Sequence, residues 1–179
     1  MSSSSYHFIS KWHIDASPEE VYAIVSDSAK LVDWWPAVYL DIKILDKGND
    51  GGLNKLIELY TKGWLPYTLR WKFRTMNVLK PHTIEIEAIG DFIGHGKWTF
   101  EEAENQQCNV TYDWRIEATK PLLRKLSWLM KPAFSANHEW AMARGEESLK
   151  LEILRRKGLP VSPPPRPTFP HNLMNNKIL

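Results

Sequence analysis

Residues 94–118 read GHGKWTFEEAENQQCNVTYDWRIEA, and the phase of their apolar side chains decides the fold. In Gly94–Glu102, Trp98 and Phe100 stand opposite Lys97, Thr99 and Glu101. In Cys108–Ala118, Val110, Tyr112, Trp114 and Ile116 stand opposite Thr111, Asp113, Arg115 and Glu117. Alternation of this length predicts two half-buried strands, each with one wet and one covered face. The pattern extends toward the N-terminus. Tyr67–Leu79 sets Leu69, Trp71 and Phe73 against Arg70, Lys72 and Arg74, and Thr83–Ile89 sets Ile84 and Ile86 against Glu85 and Glu87. Two further strands, Val38–Asp46 and Leu53–Lys62, flank the turn Lys47-Gly48-Asn49-Asp50-Gly51-Gly52. The phase of Leu53–Lys62 is open, because Leu56 and Tyr60 oppose Ile57 and Leu59; Glu58 faces either the covered side or water. Tyr6–Asp15 alternates as well, with Phe8, Trp12 and Ile14 against His7, Lys11 and His13. Consecutive alternating strands joined by short turns predict an antiparallel meander.

The helical signals lie around this run. Ser17-Pro18-Glu19-Glu20 is a capping-box pattern, and a short helix follows through Val21, Tyr22, Ile24 and Val25. A second short helical stretch spans Ser28–Trp34 and stops before Pro36. From Pro121 to Lys157, Leu122, Leu126, Leu129, Ala133, Asn137, Ala141, Gly145, Leu149 and Ile153 recur at steps of three or four. Pro132 is expected to break or kink this helix, leaving a final helix of about twenty-five residues, roughly 37 Å long. Arg155, Arg156 and Lys157 complement its negative end, and Gly158 supplies the stop. The predicted class is α+β: strand, two short helices, six strands, long helix, with the domain at 1–157. Six of the twelve prolines fall in 158–179, which reads as an extended, polyproline-like tail. That tail is either an arm on the domain or disordered, or a ligand for a proline-recognition domain through Pro164, Arg166, Pro167 and Pro170.

Composition narrows the function classes. With 179 residues, 43% hydrophobic, and a net charge of +2, the chain suits one domain with a sizeable core and not a disordered segment. It has no apolar run long enough for a transmembrane helix and no signal-peptide pattern, which predicts a cytoplasmic protein. The single cysteine, Cys108, excludes an internal disulfide. The histidines at 7, 13, 82, 95, 138 and 171 form no metal-ligand spacing, and no phosphate loop or dinucleotide fingerprint occurs, so neither metal nor cofactor is expected. Arg70, Lys72 and Arg74 share a strand face, but Glu85 and Glu87 on the next strand can pair with them, which speaks against nucleic acid. Nine tryptophans, six tyrosines and six phenylalanines remain to be placed.

The order of elements resembles the START-like (SRPBCC) superfamily, which includes polyketide cyclase/dehydrase-like and lipid-transfer proteins. The resemblance covers about residues 6–157. It rests on Ala16-Ser17-Pro18-Glu19-Glu20-Val21, Trp34-Trp35-Pro36, Leu65-Pro66-Tyr67, Gly90-Asp91-Phe92-Ile93-Gly94-His95-Gly96-Lys97-Trp98 and Asn137-His138. It implies a helix-grip fold, in which a curved seven-stranded antiparallel sheet holds one long C-terminal helix around an apolar cavity.

On that fold the concave face carries Trp71, Phe73, Ile86, Trp98, Phe100, Tyr112 and Trp114. These rings either wall a cavity for a flat or elongated apolar ligand or fill a solid core. Asn137 and His138 interrupt the apolar stripe of the last helix, so at least one points near the sheet. His138 and Tyr112 are the candidates for moving a proton or orienting a polar ligand group; a structural hydrogen bond for the histidine is the alternative. Gly94 and Gly96 share the inward phase, leaving space for ligand or helix, or bending the sheet. Trp34, Trp35, Trp64 and Tyr67 lie in two aromatic loops that either form a cavity mouth, with transient membrane contact, or fold back onto the core. The expected function is binding of a small hydrophobic lipid-, polyketide- or isoprenoid-like molecule; the alternatives are a cyclase or dehydratase acting on such a molecule, and an interaction module using the tail.

Overall fold

Strand β1 (Ser5–Ile14) is followed by helix α1 (Pro18–Val25), a 3-10 turn (Ser28–Lys30) and helix α2 (Leu31–Trp34). Then come β2 (Tyr39–Asp46), β3 (Leu56–Lys62), β4 (Thr68–Leu79), β5 (Thr83–Gly90), β6 (Phe92–Ala103), β7 (Gln107–Ala118) and helix α3 (Pro121–Arg156). The computed structural model describes residues 5–49, 51–119 and 121–168, with the helix backbone alone at 121–130. The seven strands form one antiparallel sheet in the order β1-β7-β6-β5-β4-β3-β2. Its two edges are therefore β1 and β2, and the chain crosses from one to the other through α1 and α2.

Local chemistry explains most of these boundaries. The Ser17 hydroxyl accepts from the Glu20 amide at 3.3 Å while the Glu20 carboxylate accepts from the Ser17 amide at 2.9 Å, so both halves of the capping box form. The concave face of the sheet and the inner face of α3 share one core, with Phe100, Ile57, Leu59, Val110 and Leu149 almost fully buried. This is the helix-grip arrangement, and the fold class is α+β.

Four expectations change. Helix α3 does not break at Pro132: it runs 36 residues, about 54 Å at 1.5 Å per residue. The turn is held from outside, because Phe134, two residues on, packs edge-on against Tyr6 and Tyr67 at 6.2 and 6.1 Å. Strand β3 begins at Leu56 instead of Leu53, because Asn54 sits in the left-handed region at φ 63 and lengthens the turn. Its phase is also decided: Ile57, Leu59 and Thr61 face inward, and Glu58 faces water, 3.7 Å from Lys72. The cation pairing on the outer face differs too. Lys72 meets Glu58, Glu85 meets Lys97 at 3.1 Å, and Arg70 lies 4.4 Å over the Tyr60 ring.

The tail has no regular structure from 159 to 168. Near its start the Lys157 ammonium donates to the Asp15 carbonyl at 3.3 Å, and at its far end the Thr168 hydroxyl donates to the Gly63 carbonyl at 3.2 Å. Gly63 lies against Asn137, so the two anchors are separated by some twenty residues of α3, about 30 Å. Eleven residues of extended chain at about 3.1 Å each cover that span. The described part of the tail thus returns along the molecule, while Pro170 and the rest of 169–179 lie outside the described residues.

Candidate functional site

Between α3 and the concave face lies a chamber of about 160 Å³. Its sheet wall is Trp71, Phe92, Trp98, Tyr112 and Trp114, and its helix wall is Phe134, Asn137, His138, Ala141 and Met142. The rings form a continuous surface: Trp98 stacks on Tyr112 at 4.0 Å, Tyr112 on Trp114 at 5.4 Å, and Trp114 meets Trp71 at 5.8 Å. Gly96 makes this possible. A β-carbon there would sit 2.7 Å from both the Trp114 ring and the Tyr112 hydroxyl, so the missing side chain is the space those rings occupy. Gly94 acts differently: at φ +153 a β-carbon would collide with the Arg115 carbonyl at 2.0 Å, so this glycine permits close approach of β7.

A second chamber of about 70 Å³ lies toward α1 and α2. It shares Trp35, Tyr39, Trp71, Trp98 and Tyr112 with the first, so one aromatic partition separates the two.

The expected site residues divide accordingly. Trp71, Trp98, Tyr112, Trp114, Asn137, His138, Trp35 and Tyr67 line the larger chamber. Phe73, Ile86 and Trp34 line only the smaller one. Phe100 lines neither; it is fully buried beneath Tyr22, at 5.6 Å edge-on, and belongs to the core. The mouth is also corrected. Trp34 and Trp35 are 1% and 2% exposed, because Trp35 seats on α3 where Gly145 has no side chain; a β-carbon there would lie 2.3 Å from the indole. Trp64 is exposed but lines neither of these chambers, while Tyr67 lines the larger one.

Polar groups in the larger chamber are few and mostly neutral. His138 stacks on Phe8 at 4.1 Å, with its Nε2 3.4 Å from the Ser10 hydroxyl, and burial pushes its pKa down to about 4. At neutral pH it is an uncharged imidazole. Burial raises the phenol pKa values of Tyr39 and Tyr112 well above the ordinary range, and that of Tyr67 to about 12, so all three remain hydrogen-bond donors. The Asn137 carbonyl oxygen accepts from the Leu65 amide at 2.9 Å and pins the β3–β4 loop to α3. The Thr61 hydroxyl accepts from the Trp71 indole at 3.1 Å. Among the described residues no group of three or more His, Cys, Asp or Glu could hold a metal ion. Burial raises the Cys108 thiol to about 11, which keeps it protonated and unreactive.

Of the lining residues that sequence reasoning did not single out, Tyr39, Phe134 and Lys62 show why. Tyr39 opens β2, next to a register shift that erases alternation. Phe134 lies in the stretch of α3 where a proline obscures the stripe. Lys62 closes β3 and reads as a surface cation, yet it is 2% exposed.

Arranged this way, the chamber can enclose a small flat molecule among rings and present neutral donors to its polar edge. No curated protein matches the chain. Solved structures share the fold at low identity. The Zhui aromatase/cyclase from Streptomyces sp. R1128 superposes with a TM-score of 0.67 at 16% identity, covering 86% of this chain and 96% of that one. A START superfamily protein from Mycobacterium smegmatis gives 0.64 at 16%, covering 84% and 98%. A norcoclaurine synthase point mutant from Thalictrum flavum, in complex with a transition-state analogue, gives 0.61 at 14%, covering 86% and 96%. The model of one family, polyketide cyclase/dehydrase and lipid transport, matches residues 7–152. With most of its length inside that match, the chain belongs to the polyketide cyclase/dehydrase and lipid-transport family.

Proposed function

We propose that the protein binds a small, flat, hydrophobic molecule in the chamber between α3 and the sheet. The observation that carries this reading is the chamber itself: a space of about 160 Å³ walled by stacked rings between α3 and the sheet. Its size bounds the occupant. A dry cavity of roughly 150 Å³ accommodates one benzene-sized ring, so this chamber suits one or two fused rings and not a long acyl chain. Affinity comes from removing apolar ligand surface from water, at about 25 cal/mol per Å², and orientation from the Tyr112, Tyr39 and Asn137 side chains. Native mass spectrometry of the purified chain, before and after incubation with a small-molecule extract of the cells that make it, tests this. A stoichiometric adduct lost on acid denaturation supports the reading; an unliganded mass under both conditions contradicts it.

One observation favours a second reading, chemistry on the bound molecule. His138 is an uncharged imidazole on the chamber wall across from Tyr112, which can accept a proton or a hydrogen bond from a ligand. Its lowered pKa makes it a weak base, so binding remains the first reading. Replacement of His138 by Ala should abolish turnover and spare ligand binding if chemistry occurs there. Equal loss of both argues for a packing role.

A further inference from the structure

The β3–β4 loop leaves the sheet at Lys62, the one cationic side chain among the described residues that line the larger chamber. The strand ends here and its alternation with it, so the Lys62 ammonium reaches three residues ahead and donates to the Leu65 carbonyl at 2.9 Å. An ammonium has three donors, so one neutral carbonyl leaves two directions unfilled. No Asp or Glu lines the chamber among the described residues. Burial, unrelieved by a neighbouring carboxylate, holds the Lys62 pKa below its ordinary value. A buried cation with a single neutral acceptor is a costly choice where a leucine or methionine would pack.

Its surroundings share one polarity. The Asn137 carbonyl oxygen is taken by the Leu65 amide, which leaves the side-chain NH₂ as the donor at this end of the chamber. Gly63 has no side chain where the Asn137 amide lies; a β-carbon there would sit 2.2–2.4 Å from its oxygen and nitrogen, so the glycine is what lets Asn137 take this position. Outside, the exposed Lys131 lies 5.5 Å over the ring of Tyr6, which lines the same chamber next to Phe134. Donors and positive charge collect around Lys62 and Asn137, while the sheet wall is aromatic.

We infer that Lys62 is an anion-reading residue and that the ligand is a small aromatic carboxylic acid, its ring against Trp71 and Trp114 and its carboxylate on Lys62 and Asn137. A carboxylate supplies the charge the chamber lacks and needs only the two or three donors present. This inference rests on the proposed binding function and adds the ligand's chemical class.

The test is a calorimetric titration of the full chain at pH 7 with 1-naphthylacetic acid and with 2-(1-naphthyl)ethanol, which share a ring system and differ in charge. The acid is expected to bind at least about tenfold more tightly than the alcohol, as a charge-assisted hydrogen bond implies. In Lys62→Met the gap between the two should close to less than about twofold. Equal binding, preference for the alcohol, or an acid preference that survives Lys62→Met overturns the assignment while leaving the binding function standing. Failure of both compounds to bind overturns the binding function beneath it. Should Lys62→Met not fold, the wild-type comparison decides alone.

Discussion

Gly145 carries no side chain at the point where the Trp35 indole lies against α3, 2.3 Å from where a β-carbon would be. In an exposed helix, Gly→Ala stabilises by about 1 kcal/mol. Here the sign should reverse. Gly145→Ala is expected to destabilise by about 1–3 kcal/mol, read as a lower urea midpoint with unchanged slope, because Trp35 cannot move without disturbing Trp12, Trp34 and Tyr39. A gain in stability would contradict that packing. His138 gives a second residue-scale expectation. Its folded pKa of about 4 lies below its ordinary 6.5, so the unfolded chain binds more protons between these values. Its contribution to stability is therefore complete above pH 6.5 and is lost as pH falls toward 4, by up to about 3 kcal/mol. His138→Phe, which keeps the stack on Phe8, should flatten this part of the stability–pH curve, and an unchanged curve would assign the acid sensitivity elsewhere.

At the scale of elements, three segments meet at the β3–β4 loop: α3 through Asn137, the loop itself through Gly63 and Leu65, and the tail through Thr168. Asn137→Leu leaves the Leu65 amide without its acceptor and should cost about 1–2 kcal/mol. Hydrogen exchange of residues 63–67 should accelerate in that variant and, more weakly, in Thr168→Val; exchange unchanged in both would mean the loop holds itself. Legibility in the sequence also differs by element. Strands β4, β6 and β7 were plain because one face is wet, so Arg70, Lys97 and Arg115 alternate with buried rings. Strand β3 was not, because Tyr60 and Lys62 are buried beside the inward Leu59 and Thr61 and the period of two disappears. Pro132 is ambiguous for a related reason: local propensity predicts a break or a kink, and the helix continues through it, with Phe134 packed on Tyr6 and Tyr67.

For the whole molecule, the fold followed from phase and order, but the site did so only in part. Strand phase places Trp71, Trp98, Tyr112 and Trp114 on the concave face. Whether an inward ring faces the larger chamber, the smaller one or solid core depends on where α3 and the Trp34–Trp35 pair sit, which no local pattern encodes. That is why Phe100 proved to be core and Phe73 and Ile86 belong to the smaller chamber. The central claim is that the larger chamber is a binding site. Ala141 lines it from α3, and a tryptophan there would fill it. The most direct measurement is a fluorescence titration with 1-naphthylamine, a flat two-ring probe that is neutral at pH 7, on the wild-type chain and on Ala141→Trp, with circular dichroism confirming that both fold. Saturable one-to-one binding in the wild type and its loss in the folded variant is the expected result; binding of equal strength in both, or in neither, would contradict the account.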